Sequence, residues 1–381
     1  MSASHGRTGR SLEVSLPGQG RSYPIRFGTG TLASAGEEIA RATKASRAVV
    51  VTVPPVARRH AARLERSLRA AGIRSQRLVV PDGDGSKSLR QVARLYDALL
   101  AWGADRSTVV VALGGGVVGD LAGFLAATYL RGVPFVQVPT TVLAMVDSSV
   151  GGKVGVNLRQ GKNLVGAFHQ PRLVLVDVEL LATLPARQRA AGLVEAVKHG
   201  AILDRGLFER FERDLERVRD LDPAVLLPLL ARACAIKAEV VGRDERESGP
   251  RMLLNFGHTL GHAVEKLSGY RGILHGEAVA MGMVYAAHRS EELDLAPPGT
   301  AERLRALLAR LDLATELPGF SRSAYLAALR VDKKKKDAHI RFVVLRRIGA
   351  AETVPLTPAE VYPPRRGGSE RRRGRRGSPR T

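Results

Sequence analysis

The chain has 381 residues, 44% of them hydrophobic, enough apolar material for two domains that each bury a core. Its longest apolar runs are broken by Gly, Pro or polar residues well short of the roughly 20 a membrane span needs, and the N-terminus lacks the apolar stretch of a secretory signal, so no span and a cytoplasmic location are expected. A formal charge of +22 raises a nucleic-acid reading, but eight arginines lie between residues 365 and 380 against one Glu370, with nothing apolar to bury. The segment 363–381 therefore reads as a disordered Arg-rich tail, and any nucleic-acid contact is expected from that tail alone.

In chain order, residues 1–24 read as a flexible segment. Short β-rich runs then alternate with helical patterns: a strand at 48–52, a helix at 56–71, a strand at 76–80, a helix at 88–102 and a strand at 108–113. Such alternation predicts βαβ units and a mainly parallel sheet. Further strands are expected at 135–138 and 173–177. Beyond Pro185 the pattern becomes amphipathic and helical, through 190–203, 223–241, 258–267 and 277–293. The expectation is a Rossmann-like α/β domain over 25–185 and an all-α domain over 186–362. The single cysteine, Cys234, excludes an internal disulfide and reads as one small apolar residue of a helix.

Strand 108–113 runs into GGGVVGD at 114–120, directly before a helical segment. Strand, Gly-rich turn and helix start let a backbone approach a pyrophosphate at the positive end of a helix, and Gly114, Gly116 and Gly119 satisfy the spacing G-x-G-x-x-G. The acidic residue expected about 20 residues later is missing, so a standard Rossmann site is not implied. Asp147, Lys153, Lys162 and Asn163 then stand among glycines and small residues, where cations can meet a ligand's phosphate or carboxylate.

Metal candidates fall in the helical half. His258 and His262, four apart, share a helix face; His275 opens His-Gly-Glu; Glu195 precedes Lys198 by one turn, where a plain ion pair is the simpler explanation. Two His and one carboxylate with an open position form a catalytic zinc set, and the spacing leaves open which three of the four are ligands.

These strings, with ATYLRG at 127–132, the run 139–157, the run 161–171, the run 192–200, the run 255–265 and HGEAVA at 275–280, resemble the 3-dehydroquinate synthases among the sugar-phosphate cyclases, over roughly residues 25–350. The resemblance implies a lyase that uses NAD and zinc, with cobalt as an alternative metal, on a small sugar phosphate, as a homodimer. The reaction is transient oxidation of an alcohol, phosphate elimination, re-reduction and intramolecular aldol closure. It implies zinc on Glu195, His258 and His275, with His262 a proton-transfer or substrate group. Substrate positions fall on Arg131, Asp147, Lys153, Asn163, Lys198, Lys237, Arg251, Asn255, His262 and Lys333. NAD contacts fall on Gly115, Gly116, Val117, Gly119, Asp120, Thr140, Thr141, Asp147, Lys153, Lys162, Thr183 and Leu184. The chain departs from the family at Val53 and Pro55, where a carboxylate and an amide commonly face the adenosine ribose; Asp82, Asp84 and Lys87 are expected to compensate. Met145, Val154 and Gln188 also depart, without touching an implied ligand.

Overall fold

A computed structural model describes residues 9–16, 22–245, 249–330 and 339–364. Lys333 and the arginines of the tail lie outside the described residues. The strands are β1 (Arg10–Val14), β2 (Tyr23–Gly28), β3 (Arg47–Thr52), β4 (Arg74–Val79), β5 (Thr108–Gly114), β6 (Phe135–Pro139), β7 (Lys153–Leu158), β8 (Gly161–Phe168), β9 (Leu173–Asp177), β10 (Ile340–Arg347) and β11 (Ala350–Leu356). The helices are α1 (Ala35–Thr43), α2 (Pro54–Val56), α3 (Ala62–Ala70), α4 (Leu89–Ala101), α5 (Gly116–Thr128), α6 (Ala186–Leu203), α7 (Arg205–Arg219), α8 (Pro223–Arg243), α9 (His258–Leu267), α10 (His275–Glu292), α11 (Thr300–Ala309), α12 (Arg322–Leu329) and α13 (Pro358–Val361).

Among the described residues, seven strands form one sheet in the order β1-β2-β9-β6-β5-β3-β4, parallel except for β1, which runs antiparallel to β2. Strand β5 is buried along its whole length because both of its faces are covered. Val109, Val111 and Leu113 pack with α1 and α3 residues such as Ile39 and Leu64, while Val110 and Ala112 pack with α4 and α5 residues such as Leu95 and Leu121. That two-sided burial is why the run reads as continuously apolar rather than alternating. From β3 the chain moves outward to β4, returns to β5 on the other side, and then proceeds to β6. The switch point between β3 and β5 opens a crevice at their carboxyl ends, where α/β sheets bind ligands.

Two elements differ from the sequence reading. Arg10–Val14, expected within a flexible segment, forms β1, because Val14 and Leu16 are apolar enough to be buried against the helical half while the strand covers the edge of β2. The second half is helical but also carries the β10–β11 hairpin, whose Phe342, Val343, Val344 and Leu345 are buried in the same core as α10. The two halves also share apolar contacts: Ile25, Phe27, Val174 and Val176 of the sheet lie in one cluster with Leu193, Val197 and Leu230 of the helices. Cys234 sits in that cluster, its thiol pushed up to about 12 by burial, so it is chemically inert.

Candidate active site

Gly115 caps α5 and Gly116 is its first residue, at the end of β5. A Cβ on Gly116 would stand 3.0 Å from Ser148 Oγ, and one on Gly119 would stand 2.8 Å from Gln137 Oε1, so neighbouring side chains crowd this helix start. Thr140 N–H donates to the Gly114 carbonyl at 3.0 Å, and Thr141 packs over Gly115, which brings the end of β6 onto the same turn. The loop after β4 adds Lys87, a buried cation whose Nζ donates to Asp120 Oδ2 and to Asn163 Oδ1. Burial pushes the Asp120 carboxyl up, and Lys87 opposes that shift. Asp84 is exposed and pairs with Lys162 at 2.9 Å; the Lys162 ammonium also lies 4.3 Å from the centre of the Tyr270 ring. Asp82 is exposed at the same loop, and Val117 follows in the first turn of α5. Thr183 and Leu184 end the turn before α6, and Thr183 Oγ1 lies 2.8 Å from His60 Nε2.

Beside this turn lies a cavity of about 530 Å³ lined by Asp120, Asp147, Lys153, Asn163, Lys237 and Arg251, among others. Strands β7 and β8 close one wall as a hairpin that the sequence reading left unassigned. Its strands approach closely because a Cβ on Gly155 would stand 2.5 Å from the Val165 carbonyl. Lys237, buried on α8, donates to the Asp147 carbonyl and to its Oδ1, each at 2.6 Å. Asn255 follows Arg251 on the same short turn. Arg131 does not line the cavity: it is exposed in a turn where it and Leu130 both take left-handed backbone angles, φ 65° and 49°.

Asp147 joins the cavity to a cluster of imidazoles and carboxylates. One ligand atom each from Glu195, His258 and His275 lies within 4.8 Å of the others; His262, Glu265 and His275 form a second such group, and Asp147, Glu195 and His199 a third. Glu195 is fully buried; its Oε2 is paired with the Lys198 ammonium, and its Oε1 has no hydrogen-bond partner among the described residues. His258 Nε2 and His275 Nε2 point at Glu195 Oε1 from 3.6 and 3.9 Å. The outer nitrogens are engaged: His258 Nδ1 lies 3.2 Å from the Phe256 carbonyl and His275 Nδ1 lies 3.3 Å from Glu265 Oε1. Such outer partners fix a ring and leave Nε2 free to bind a metal. Burial and then the Lys198 charge hold His258 well below the ordinary imidazole range, so it is neutral, as a ligand must be. Burial alone would lower His275 too, but Glu265 and Glu195 outweigh it and raise its pKa. A buried carboxylate with one oxygen paired to Lys198 and the other, Oε1, facing two imidazole nitrogens fits a divalent cation such as zinc at Oε1.

Close helix packing produces this geometry. A Cβ on Gly276 would stand 1.9 Å from the Ala191 carbonyl, so the glycine lets α10, carrying His275, rest on α6, carrying Glu195. A Cβ on Gly282 would stand 2.0 Å from the Gly257 carbonyl, which draws α9 and His258 onto α10. Gly276→Ala is expected to force α10 away from α6. Overpacking of this kind costs about 1–3 kcal/mol, so thermal denaturation should show a lower midpoint, and the isolated variant should carry less zinc.

Glu265 and His60 were not singled out by the sequence reading. Glu265 follows His262 by three residues, a spacing that puts the two on one helix face and could have revealed it. His60 reaches Thr183 across 123 residues of chain, and no local pattern signals that contact.

An NAD-type helix start beside a cation-lined cavity and a candidate zinc cluster defines a cofactor- and metal-assisted enzyme acting on an anionic substrate. Residues 77–191 match the family model for the 3-dehydroquinate synthase N-terminal part and residues 192–335 the model for its C-terminal part, so the chain belongs to the 3-dehydroquinate synthase family. A 3-dehydroquinate synthase from Geobacter metallireducens is 51% identical over 336 residues, covering 88% of this chain and 93% of the relative. One from a Synechococcus species is 46% identical over 355 residues, covering 92% and 96%. Among solved structures, a 2-deoxy-scyllo-inosose synthase complexed with carbaglucose-6-phosphate, NAD+ and Co2+ is similar with a TM-score of 0.83 and 28% identity, covering 92% of this chain and 98% of that one. A 2-epi-5-epi-valiolone synthase from Streptomyces hygroscopicus with NAD+ and Zn2+ gives a TM-score of 0.81 at 30% identity, covering 89% and 94%.

Proposed function

We propose that this cleft converts 3-deoxy-D-arabino-heptulosonate 7-phosphate to 3-dehydroquinate and phosphate, as a phosphate-eliminating lyase of the shikimate pathway. The observation that carries the reading is the buried Glu195 carboxylate whose Oε1 faces His258 and His275, next to a cavity whose Lys153, Lys237 and Arg251 suit a doubly anionic substrate. Glu195, His258 and His275 would hold zinc; the α5 start, with Asp120, Thr140, Thr141 and Lys162, would hold NAD. When bound, NAD⁺ supplies a reversible two-electron oxidant and zinc supplies Lewis acidity toward a hydroxyl.

The remaining work falls to the chain itself. Lys153 and Asn163 face the phosphate end, where their donors offset the charge that grows as the ester bond breaks. Lys237 and Arg251 hold the carboxylate end, and Asp147 fixes Lys237 in that place. His262, exposed on α9 with its ring centre 5.4 Å from that of His258, offers a ring nitrogen that can take up or return a proton. Lys198 balances Glu195 and keeps a second cation at hand for substrate hydroxyls. Asp84 would compensate at the adenosine side for the residues replaced by Val53 and Pro55, whereas Lys87 is held by Asp120 and Asn163 beside the substrate cavity. A homodimer and a cytoplasmic location complete the reading.

Phosphate release from this substrate tests it, with and without NAD⁺ and zinc, while NADH is followed by absorbance. Release that needs both additions and leaves no net NADH is expected. The absence of release from NAD⁺- and zinc-loaded protein would transfer the reading to a sister cyclase substrate.

A further inference from the structure

His199 is fully buried on α6, and among the described residues neither ring nitrogen has a partner in good hydrogen-bond geometry, although the Ala233 carbonyl lies close enough to raise its pKa. A buried polar group without a partner costs about 1–3 kcal/mol, and native interiors satisfy nearly all of them. The two carboxylates beside it serve opposite parts of the site. Asp147 lines the cavity, and Glu195 belongs to the candidate zinc cluster.

One ring nitrogen of His199, one oxygen of Asp147 and one of Glu195 lie within 4.8 Å of one another. Three atoms so placed share a point no farther than about 2.8 Å from each, which is hydrogen-bond distance for an oxygen atom. A neutral imidazole carries one N–H and one lone pair. The ammonium groups of Lys198 and Lys237 already face the two carboxylates, which disfavours a second metal ion there. A water molecule matches the donor count: its two hydrogens meet two carboxylates, and its lone pair takes the imidazole N–H.

We propose that His199, Asp147 and Glu195 together hold one buried water, with His199 as its donor, and that this water fixes the Glu195 carboxylate in its metal-binding orientation. His199 is thus a positioning residue for the metal site. The inference rests on the reading of Glu195 as a zinc ligand.

The test is the zinc dissociation constant, measured by competition with a chromophoric chelator, for the full chain and three variants. His199→Phe fills the space without a donor, while His199→Asn and His199→Gln place an amide N–H where one or the other ring nitrogen lies. His199→Phe is expected to weaken zinc about 10- to 100-fold, the range typical of outer-shell partners, and one amide variant to recover most of the loss. Wild-type affinity in folded His199→Phe would overturn the proposal. A high-resolution crystal structure of the zinc-loaded wild-type enzyme decides the matter even where a variant fails to fold: a solvent peak bonded to all three side chains is expected, and a metal ion or no peak there refutes it. If the wild-type protein binds no zinc, the ligand assignment of Glu195 fails instead, and a crystal structure of the metal-free enzyme judges the water separately by the presence or absence of that peak.

Discussion

His258→Ala is expected to lose bound zinc and phosphate release together. His258 is neutral, with its Nδ1 against the Phe256 carbonyl and its Nε2 facing the buried Glu195 oxygen, so alanine removes the ligand and leaves Glu195 and His275 to hold the ion. Removing a mere outer partner of a metal ligand costs about 10- to 100-fold in affinity; losing a ligand outright should exceed that range. Glu265→Ala, which removes the partner of His275 Nδ1, should fall within it. Metal content by mass spectrometry and phosphate release measured on the same preparations separate the two variants. An active, zinc-loaded His258→Ala enzyme would instead assign the ion to the neighbouring group of His262, Glu265 and His275.

The second large effect is expected from Asp147→Asn. Lys237 is buried, and its two oxygen partners at 2.6 Å both belong to Asp147, one of them the carboxylate that carries the opposing charge. Breaking one side of a buried ion pair typically costs about 3–5 kcal/mol, because the remaining charge is left uncompensated. Urea denaturation should show that loss. The double variant Asp147→Asn with Lys237→Met should regain much of the stability but not the activity, since both groups face the substrate cavity. Burial would raise the Asp147 carboxyl, but Lys237 and Lys198 outweigh it and hold it well below the usual carboxylate range. With the folded value depressed, its stabilising contribution is complete above the unfolded value near ~3.9 and disappears as pH falls through the folded one. Wild-type stability should therefore fall on strong acidification more steeply than that of Asp147→Asn. Equal acid profiles would show that the pair contributes nothing.

Much of this was legible in one dimension, because the relevant physics is local. A strand buried on both faces must be apolar at every position, so Thr108–Gly114 announces itself, and a helix start that backbone must approach closely needs Gly115 and Gly116. His258 and His262 share a face through the helical repeat alone. The β1 strand and the β10–β11 hairpin were not legible, because edge strands of five to eight residues carry a weak period and take their stability from distant partners. The β7–β8 hairpin was hidden by its glycines, which read as loop but are required by the close approach of the two strands.

The sequence by itself determined the chemistry available to this protein: which carboxylates, imidazoles and cations it carries, a Gly-rich turn for a dinucleotide, and a resemblance spread over most of the chain. Tertiary structure decided which of those groups meet. Glu195 faces His258 and His275 because Gly276 and Gly282 let three helices touch, and Lys87 reaches Asn163 across 76 residues. His199 acquires its significance only from burial beside two carboxylates. Residue type is a property of a single position, whereas burial, donor count and ligand geometry belong to atoms brought together from distant parts of the chain.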